Sequence, residues 1–154
     1  MAELEAGVLR AILARVAEQG ALRMAEGLES VAEAIERQAR ANASNGQHDY
    51  GTPTPARPGE GPAQISGTLV ESIGHNPVER SIEGWATKVG PRRGHYPEYS
   101  SRWRSRVDSS RYGYYLETGD HGITYPWLKP AADAIGEAAV SVAVLDVFND
   151  ISWG

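Results

Sequence analysis

The side chains able to do chemistry are few and far apart. His48, His75, His95 and His121 are the four histidines, and there is no cysteine. That excludes disulfides, thiolate metal sites and thiol nucleophiles. Glu117, Asp120 and His121 form a local group with ligand types suited to a divalent cation, provided that the donors converge on one point. A solvated turn accounts for the same residues without a metal. No Gly-rich phosphate loop, His-Glu-x-x-His helix or Gly-x-Ser-x-Gly elbow occurs. A serine triad would have to be assembled from distant pieces with no local signature. The expectation is therefore a protein that is not an enzyme, with no catalytic residue, no cofactor and no metal site.

The densest group of functional side chains is basic and aromatic. It contains Arg92, Arg93, His95, Tyr96, Tyr99, Arg102, Trp103, Arg104, Arg106, Arg111 and Tyr112. Arginines interleaved with aromatic rings can clamp a phosphate backbone and stack on bases. The same composition marks protein–protein hot spots, and a merely solvated surface is a third reading. The net charge of −5 gives no general argument for nucleic-acid binding. Charge is also segregated. Beyond Leu116 stand Glu117, Asp120, Asp133, Glu137, Asp146 and Asp150 against Lys129 alone, an arrangement suited to head-to-tail contact between copies or to pairing within one chain.

These residues need a scaffold. A length of 154 residues corresponds to about one domain. No apolar run approaches the ~20 residues that cross a bilayer, and the acidic start at Glu3 and Glu5 is unlike a signal peptide. Residues 3–42 are predicted to be helical. Val8, Ile12 and Val16 recur every four residues, and Leu28, Val31 and Ile35 continue the pattern. Glycine inside a helix costs about 1 kcal/mol against alanine, so a kink is expected near Gly20. The apolar stripe is narrow and alanine-rich, and such a helix must lie on its own sheet or on a neighbouring subunit.

Residues 43–63 are expected to be loop, because the run from Gly51 to Pro62 is too rich in proline and glycine for a helix or a central strand. A short helix should follow, capped by Ser66 or Thr68, with Glu71 completing a capping box. Val78, Ile82, Trp85 and Val89 alternate with charged residues, which predicts a strand or a hairpin turning at Glu83-Gly84. Residues 92–113 are expected to be an insertion. Tyr114 to Gly119 reads as the next strand, with Tyr115 and Leu116 on opposite faces. A C-terminal helix is predicted over 131–151, started by Pro130 and carrying Ile135, Ala139, Val142, Leu145 and Phe148 on one side. The fold class is α+β: a long N-terminal helix, a short helix, a small antiparallel sheet and a C-terminal helix in one domain over 1–154, with 64–154 as the sheet-and-helix core.

Two motifs in this order resemble a known family. Pro55 to Ala63, followed by Ile65-Ser66-Gly67-Thr68-Leu69-Val70-Glu71-Ser72-Ile73, resembles the proline-rich loop and T-G-x-L-x-x-S-I helix of phage tail-component proteins. These are also called neck or tail-completion proteins, of siphophage head–tail connectors. Tyr114-Tyr115-Leu116-Glu117-Thr118-Gly119, then Tyr125-Pro126-Trp127-Leu128-Lys129-Pro130-Ala131, resembles that family's Y-x-x-x-x-E-x-G-T … P-F-L-x-P-A ending. Ser66 stands where the family often has threonine, Trp127 replaces its usual phenylalanine, and the basic insertion before Tyr114 is longer.

The resemblance implies a virion structural protein at the head–tail junction, assembled in the host cytoplasm. It further implies a homo-oligomeric ring, of sixfold symmetry by resemblance, whose partners are the head–tail connector and the tail terminator or tail tube, with genomic DNA passing through the lumen and no membrane. Gly67, Leu69, Ser72, Ile73, Tyr115, Glu117, Gly119, Trp127, Leu128 and Pro130 are then scaffold residues. Pro55, Arg57 and Pro58 of the loop, with Arg102, Trp103, Arg104 and Arg106 of the insertion, are the candidates for reaching neighbours. The alternative function is a nucleic-acid-binding phage accessory protein using 92–111.

Overall fold

The computed structural model describes residues 6–47, 56–64, 66–82, 84–96, 107–119 and 122–136. The long helix α1 covers Ala6–Asn42. Its 37 residues extend over about 55 Å at 1.5 Å per residue, and it runs without a break through Gly20. The short helix α2 (Thr68–Ser72) leads directly into strand β1 (Ile73–His75). β2 (Glu79–Ser81), β3 (Gly84–Ala86) and β4 (Val89–Pro91) follow, then α3 (Ser109–Thr118). A last helix, α4, occupies 128–136 as far as the described residues reach. The architecture is α+β, with helices packed on a small antiparallel strand set.

The strands are two nested ribbons of one hairpin. β1 pairs with β4 in the register Ile73↔Pro91, Gly74↔Gly90 and His75↔Val89. β2 pairs with β3 through Glu79↔Ala86, Arg80↔Trp85 and Ser81↔Gly84. Between them the Asn76 N–H donates to the Lys88 carbonyl at 2.9 Å and the Thr87 hydroxyl donates to the Asn76 carbonyl. The hairpin matches the expected strand pattern, but its turn begins at Ile82 and not at Glu83-Gly84, because Ser81 pairs with Gly84, the first residue of β3. Ile82 sits at the tip, fully exposed, and not on a buried face.

The core gathers Ala39, Ala43, Ala56, Leu69, Ile73, Leu116, Tyr125, Trp127 and Ala131, with Ile35, Val70 and Leu128 packed at its margin. α1 contributes through Val31, Ile35, Ala39 and Ala43, one residue per turn, and the alanines bring the helix axis close to its neighbours. The proline loop, where described, lies against its own chain. Pro62 is fully buried, the Gly46 N–H donates to the Pro62 carbonyl at 3.3 Å and the Gly59 N–H to the Thr124 carbonyl at 3.0 Å. Gly61 is dictated by space, since a Cβ there would stand 2.3 Å from the Asn42 carbonyl oxygen.

Three local expectations are corrected. Tyr114 to Thr118 is helix, as part of α3, and not strand. Asp108 decides it: its carboxylate accepts from the Ser110 N–H at 2.8 Å, which caps the first turn. Ser109, Gly113 and Leu116 then fall on one buried helical face. Tyr115 and Leu116 do face opposite ways, Leu116 inside and Tyr115 outside, but by helical spacing and not strand alternation, and Tyr114 is exposed as well. Second, α2 has no capping box. Gly67 occupies the cap position at φ 80°, a conformation that favours glycine, while the Ser66 hydroxyl before it accepts from the Thr68 N–H at 3.3 Å. Third, α4 begins at 128 and not at 131, for a reason that lies in Glu117. Ala139, Val142, Leu145 and Phe148 of the expected C-terminal stripe lie outside the described residues.

Candidate assembly interface

The motif residues converge on one structural knot. Glu117, near the end of α3, places its carboxylate at the start of α4. Oε2 accepts from the N–H groups of Trp127 and Leu128, and Oε1 from that of Lys129, each at 2.9 Å. A helix start leaves four N–H groups without intrahelical partners. Here Glu117 takes those up to Lys129, and Pro130, next in line, has none. The negative charge also sits at the positive end of the helix dipole. Both oxygens of Glu117 are thereby engaged at the start of α4, and the Asp120 and His121 of the cation reading lie outside the described residues.

Trp127 locks the other side of the knot. Its indole N–H donates to the Gly113 carbonyl at 3.1 Å, and its own carbonyl accepts from Asn42 of α1 at 3.0 Å. Gly113 leaves room for this packing. A Cβ there would come within 3.0 Å of Leu69, 3.1 Å of the Trp127 ring and 3.3 Å of Pro91. Gly113→Ala is expected to cost about 1–3 kcal/mol by overpacking, read as a lower urea midpoint with an unchanged slope. Gly119 ends α3 at φ 81°, with its N–H on the Tyr115 carbonyl at 2.9 Å. Ser72 is buried and donates to the Leu69 carbonyl at 2.7 Å. Leu69 and Ile73 are in the core, Leu128 is at its edge, and Tyr115 and Pro130 are exposed. These residues build the fold.

Exposed candidates for contact lie elsewhere. Arg57 and Pro58 form an exposed turn, whereas Pro55, Arg102, Trp103, Arg104 and Arg106 are outside the described residues. α3 presents Tyr114 and Tyr115 outward in an edge-to-face pair, with Arg111 over the Tyr115 ring. Among the described residues, a further set of exposed large apolar side chains lies on α1. The three- and four-residue spacing of its buried face continues backward through Gly27, Met24, Gly20, Val16 and Leu13, yet Met24 is 46% exposed and Leu13 58%. Val8, Ile12 and Leu22 are exposed as well.

One polar cluster was not visible in the linear pattern. His75, at the end of β1, lies between two carboxylates of α1: Nδ1 is 2.6 Å from Glu36 and Nε2 is 2.8 Å from Glu29. The Arg40 guanidinium lies 2.8 Å from Glu36 and donates to the Ile73 carbonyl at 2.6 Å. Burial pushes the Glu36 carboxyl up, but the hydrogen bonds from His75 and Arg40 outweigh it and hold Glu36 below its usual range. The contact with Glu36, and then that with Glu29, raises the His75 imidazole above its ordinary value against the opposing effect of burial. The available signal was the seven-residue separation of Glu29 and Glu36, which puts both on one flank two turns apart.

Comparison with known protein families, curated proteins and solved structures finds no match to this chain. Among the described residues, no helix is long and apolar enough to cross a membrane, and no group of three or more acidic, histidine or cysteine side chains is placed to hold a metal ion.

Proposed function

We propose that this protein is a structural subunit of a tailed-bacteriophage neck, forming a ring that joins the head connector to the tail around the DNA channel. The observation that supports it most directly is the half-covered long helix. One continuous apolar face of α1 is buried in its own domain from Val31 onward and exposed at Met24, Leu13 and Ile12. Monomers seldom leave so long a stripe open to water. A neighbouring copy in a ring covers it without any new element, because a heterologous contact that closes on itself repeats the same pair of surfaces around the circle. The motif resemblance supplies the place of that ring in the virion. The knot of Glu117, Trp127 and Gly113 supports the same reading, since its residues serve rigidity and not turnover.

The test is cryo-electron microscopy of the head–tail junction of the parent virion with this chain traced into the density. A closed ring around the channel is expected; absence of the chain from the particle overturns the reading. In solution, replacing Leu13 and Met24 together by aspartate is expected to abolish assembly, seen by light scattering, while moving the unfolding free energy by less than about 0.5 kcal/mol per site, as for other exposed positions. Salt-dependent DNA binding by the free chain, with assembly unaffected, would favour the nucleic-acid function of 92–111 instead.

A further inference from the structure

The contacts of His75 demand a particular protonation state. A neutral imidazole has one N–H and one lone pair, so it can donate to one carboxylate while directing its lone pair at the other. With carboxylate oxygens at 2.6 Å and 2.8 Å from the two nitrogens, both contacts are attractive when both nitrogens carry protons. Each is then a charge-assisted hydrogen bond between elements far apart in the chain.

We infer that His75 is a proton-dependent clasp, which as imidazolium pins α1 to β1 through Glu29 and Glu36 and on deprotonation lets the helix loosen from the sheet. Its position gives it leverage. Glu29 and Glu36 flank Val31 and Ala32, where the covered part of α1 begins, and the exposed stripe lies on the N-terminal side. The clasp therefore controls the angle at which the uncovered half of α1 projects, independently of what that half binds.

The surrounding charges leave His75 as the switching group. From α1, Glu29, Glu36 and Arg40 face it, and Glu33 lies exposed on the intervening turn. The Arg40 guanidinium is already paired with Glu36 at 2.8 Å. On the ribbon, His75 stands opposite Val89, flanked in sequence by the exposed Lys88. The Arg92 guanidinium lies where a Cβ on Gly74 would project, on the opposite face of β1 from His75. From β3, Trp85 is half-buried, with Arg80 of β2 stacked 5.8 Å from its ring centre.

Two titrations bound the clasp. The His75 value is raised above the ordinary 6.5, so its contribution is complete below that unfolded-state value and is lost as pH rises through the folded-state one. The Glu36 value is lowered from 4.5, so that contribution is present above 4.5 and is lost as pH falls through the lowered value. The helix is held between the two and loosens on either side.

The experiment is an NMR titration of the histidine rings in the full chain, with amide exchange of residues 29–43 followed from about pH 5.5 to about pH 8.5 and corrected for intrinsic rates. His75 is expected to titrate above 6.5, and Glu29→Gln to lower that midpoint. Protection in α1 is expected to fall about tenfold across the wild-type midpoint, the factor that corresponds to one charge-assisted hydrogen bond. In His75→Gln, protection should be lower and flat over the same range. Titration of His75 at or below 6.5, or the same pH-dependent loss in His75→Gln, would overturn the clasp. Should His75→Gln fail to fold, Glu29→Gln carries the test, since an unchanged His75 midpoint in that variant is equally fatal.

Discussion

Replacing Trp127 by alanine is expected to destabilise the protein by about 4 kcal/mol, in the range for a large aromatic removed from a packed core. The side chain is 1% exposed and stands among the largest fully buried groups. Its loss opens a cavity between α3, α4 and the end of α1, where the neighbours are held by backbone and cannot collapse inward. A second cost is added. The Gly113 carbonyl loses the indole donor at 3.1 Å and keeps only its bond within α3, a loss of about 0.5–1.5 kcal/mol already contained in that range. At about 2–4 °C per kcal/mol for a chain of this size, the melting point should fall by about 8–16 °C. Circular dichroism is the suitable probe, because Trp85, Trp103 and Trp153 confound fluorescence. Trp127→Phe isolates the polar part. It keeps a ring in the pocket, loses the hydrogen bond and a few atoms, and should cost about 2 kcal/mol. Phenylalanine is also the residue in the phage tail-component pattern that this stretch resembles. Equal stability of the phenylalanine variant and the wild type would show that the bond within α3 alone satisfies the Gly113 carbonyl.

Much of the scaffold was legible because it follows from local rules. The four-residue spacing from Val31 to Ala43 specifies a buried helical stripe, and alternation between Val78 and Val89 specifies the hairpin. The stretch around Tyr114 was misread for an identifiable reason. Two tyrosines and a leucine favour a strand, and both geometries separate Tyr115 from Leu116; what tells them apart is Tyr114, which strand alternation would put inside with Leu116 and which the helix leaves exposed. The deciding residue, Asp108, was hidden at the end of an arginine-rich run. Similarly, Pro130 marks the first turn of α4 but not its first residue, because a carboxylate from a different helix caps the start.

The histidine clasp was beyond linear reading for a stronger reason. Glu29 and Glu36 look like ordinary members of a solvated helix flank until β1 is known to cross it. Once His75 is there, the same carboxylates become half of an inter-element ion cluster. Motif residues and exposed residues thus divide the work. Glycines, Glu117 and Trp127 make a rigid core that recurring patterns can reveal. The apolar N-terminal half of α1 and the clasp that orients it depend on tertiary placement and on other molecules, and they carry the features through which assembly would be controlled.

The second large effect is expected at Glu117, whose replacement by alanine should cost about 3 kcal/mol. No apolar contact is lost in any quantity, so the cost is electrostatic and local. Three backbone N–H groups lose their acceptor at once. The Trp127 and Leu128 donors are partly shielded by the knot and are poorly served by water, whereas Lys129 is exposed and can be rehydrated. A cap is worth about 0.5–2 kcal/mol and a charge at the helix start adds about 0.3–1 kcal/mol; the upper ends of both give the figure, because three donors are served at once. Glu117→Gln separates these parts. One oxygen can still accept from Trp127 and Leu128, but the amide nitrogen then opposes the Lys129 N–H, donor against donor. That variant should recover about half of the loss, and Glu117→Asp less, because its shorter arm cannot span the gap between α3 and α4. Chemical denaturation of the three variants, with m-values held in common, reads the order directly. An alanine variant as stable as the wild type would mean that α4 is capped well enough by water, and that the motif glutamate serves something outside this chain.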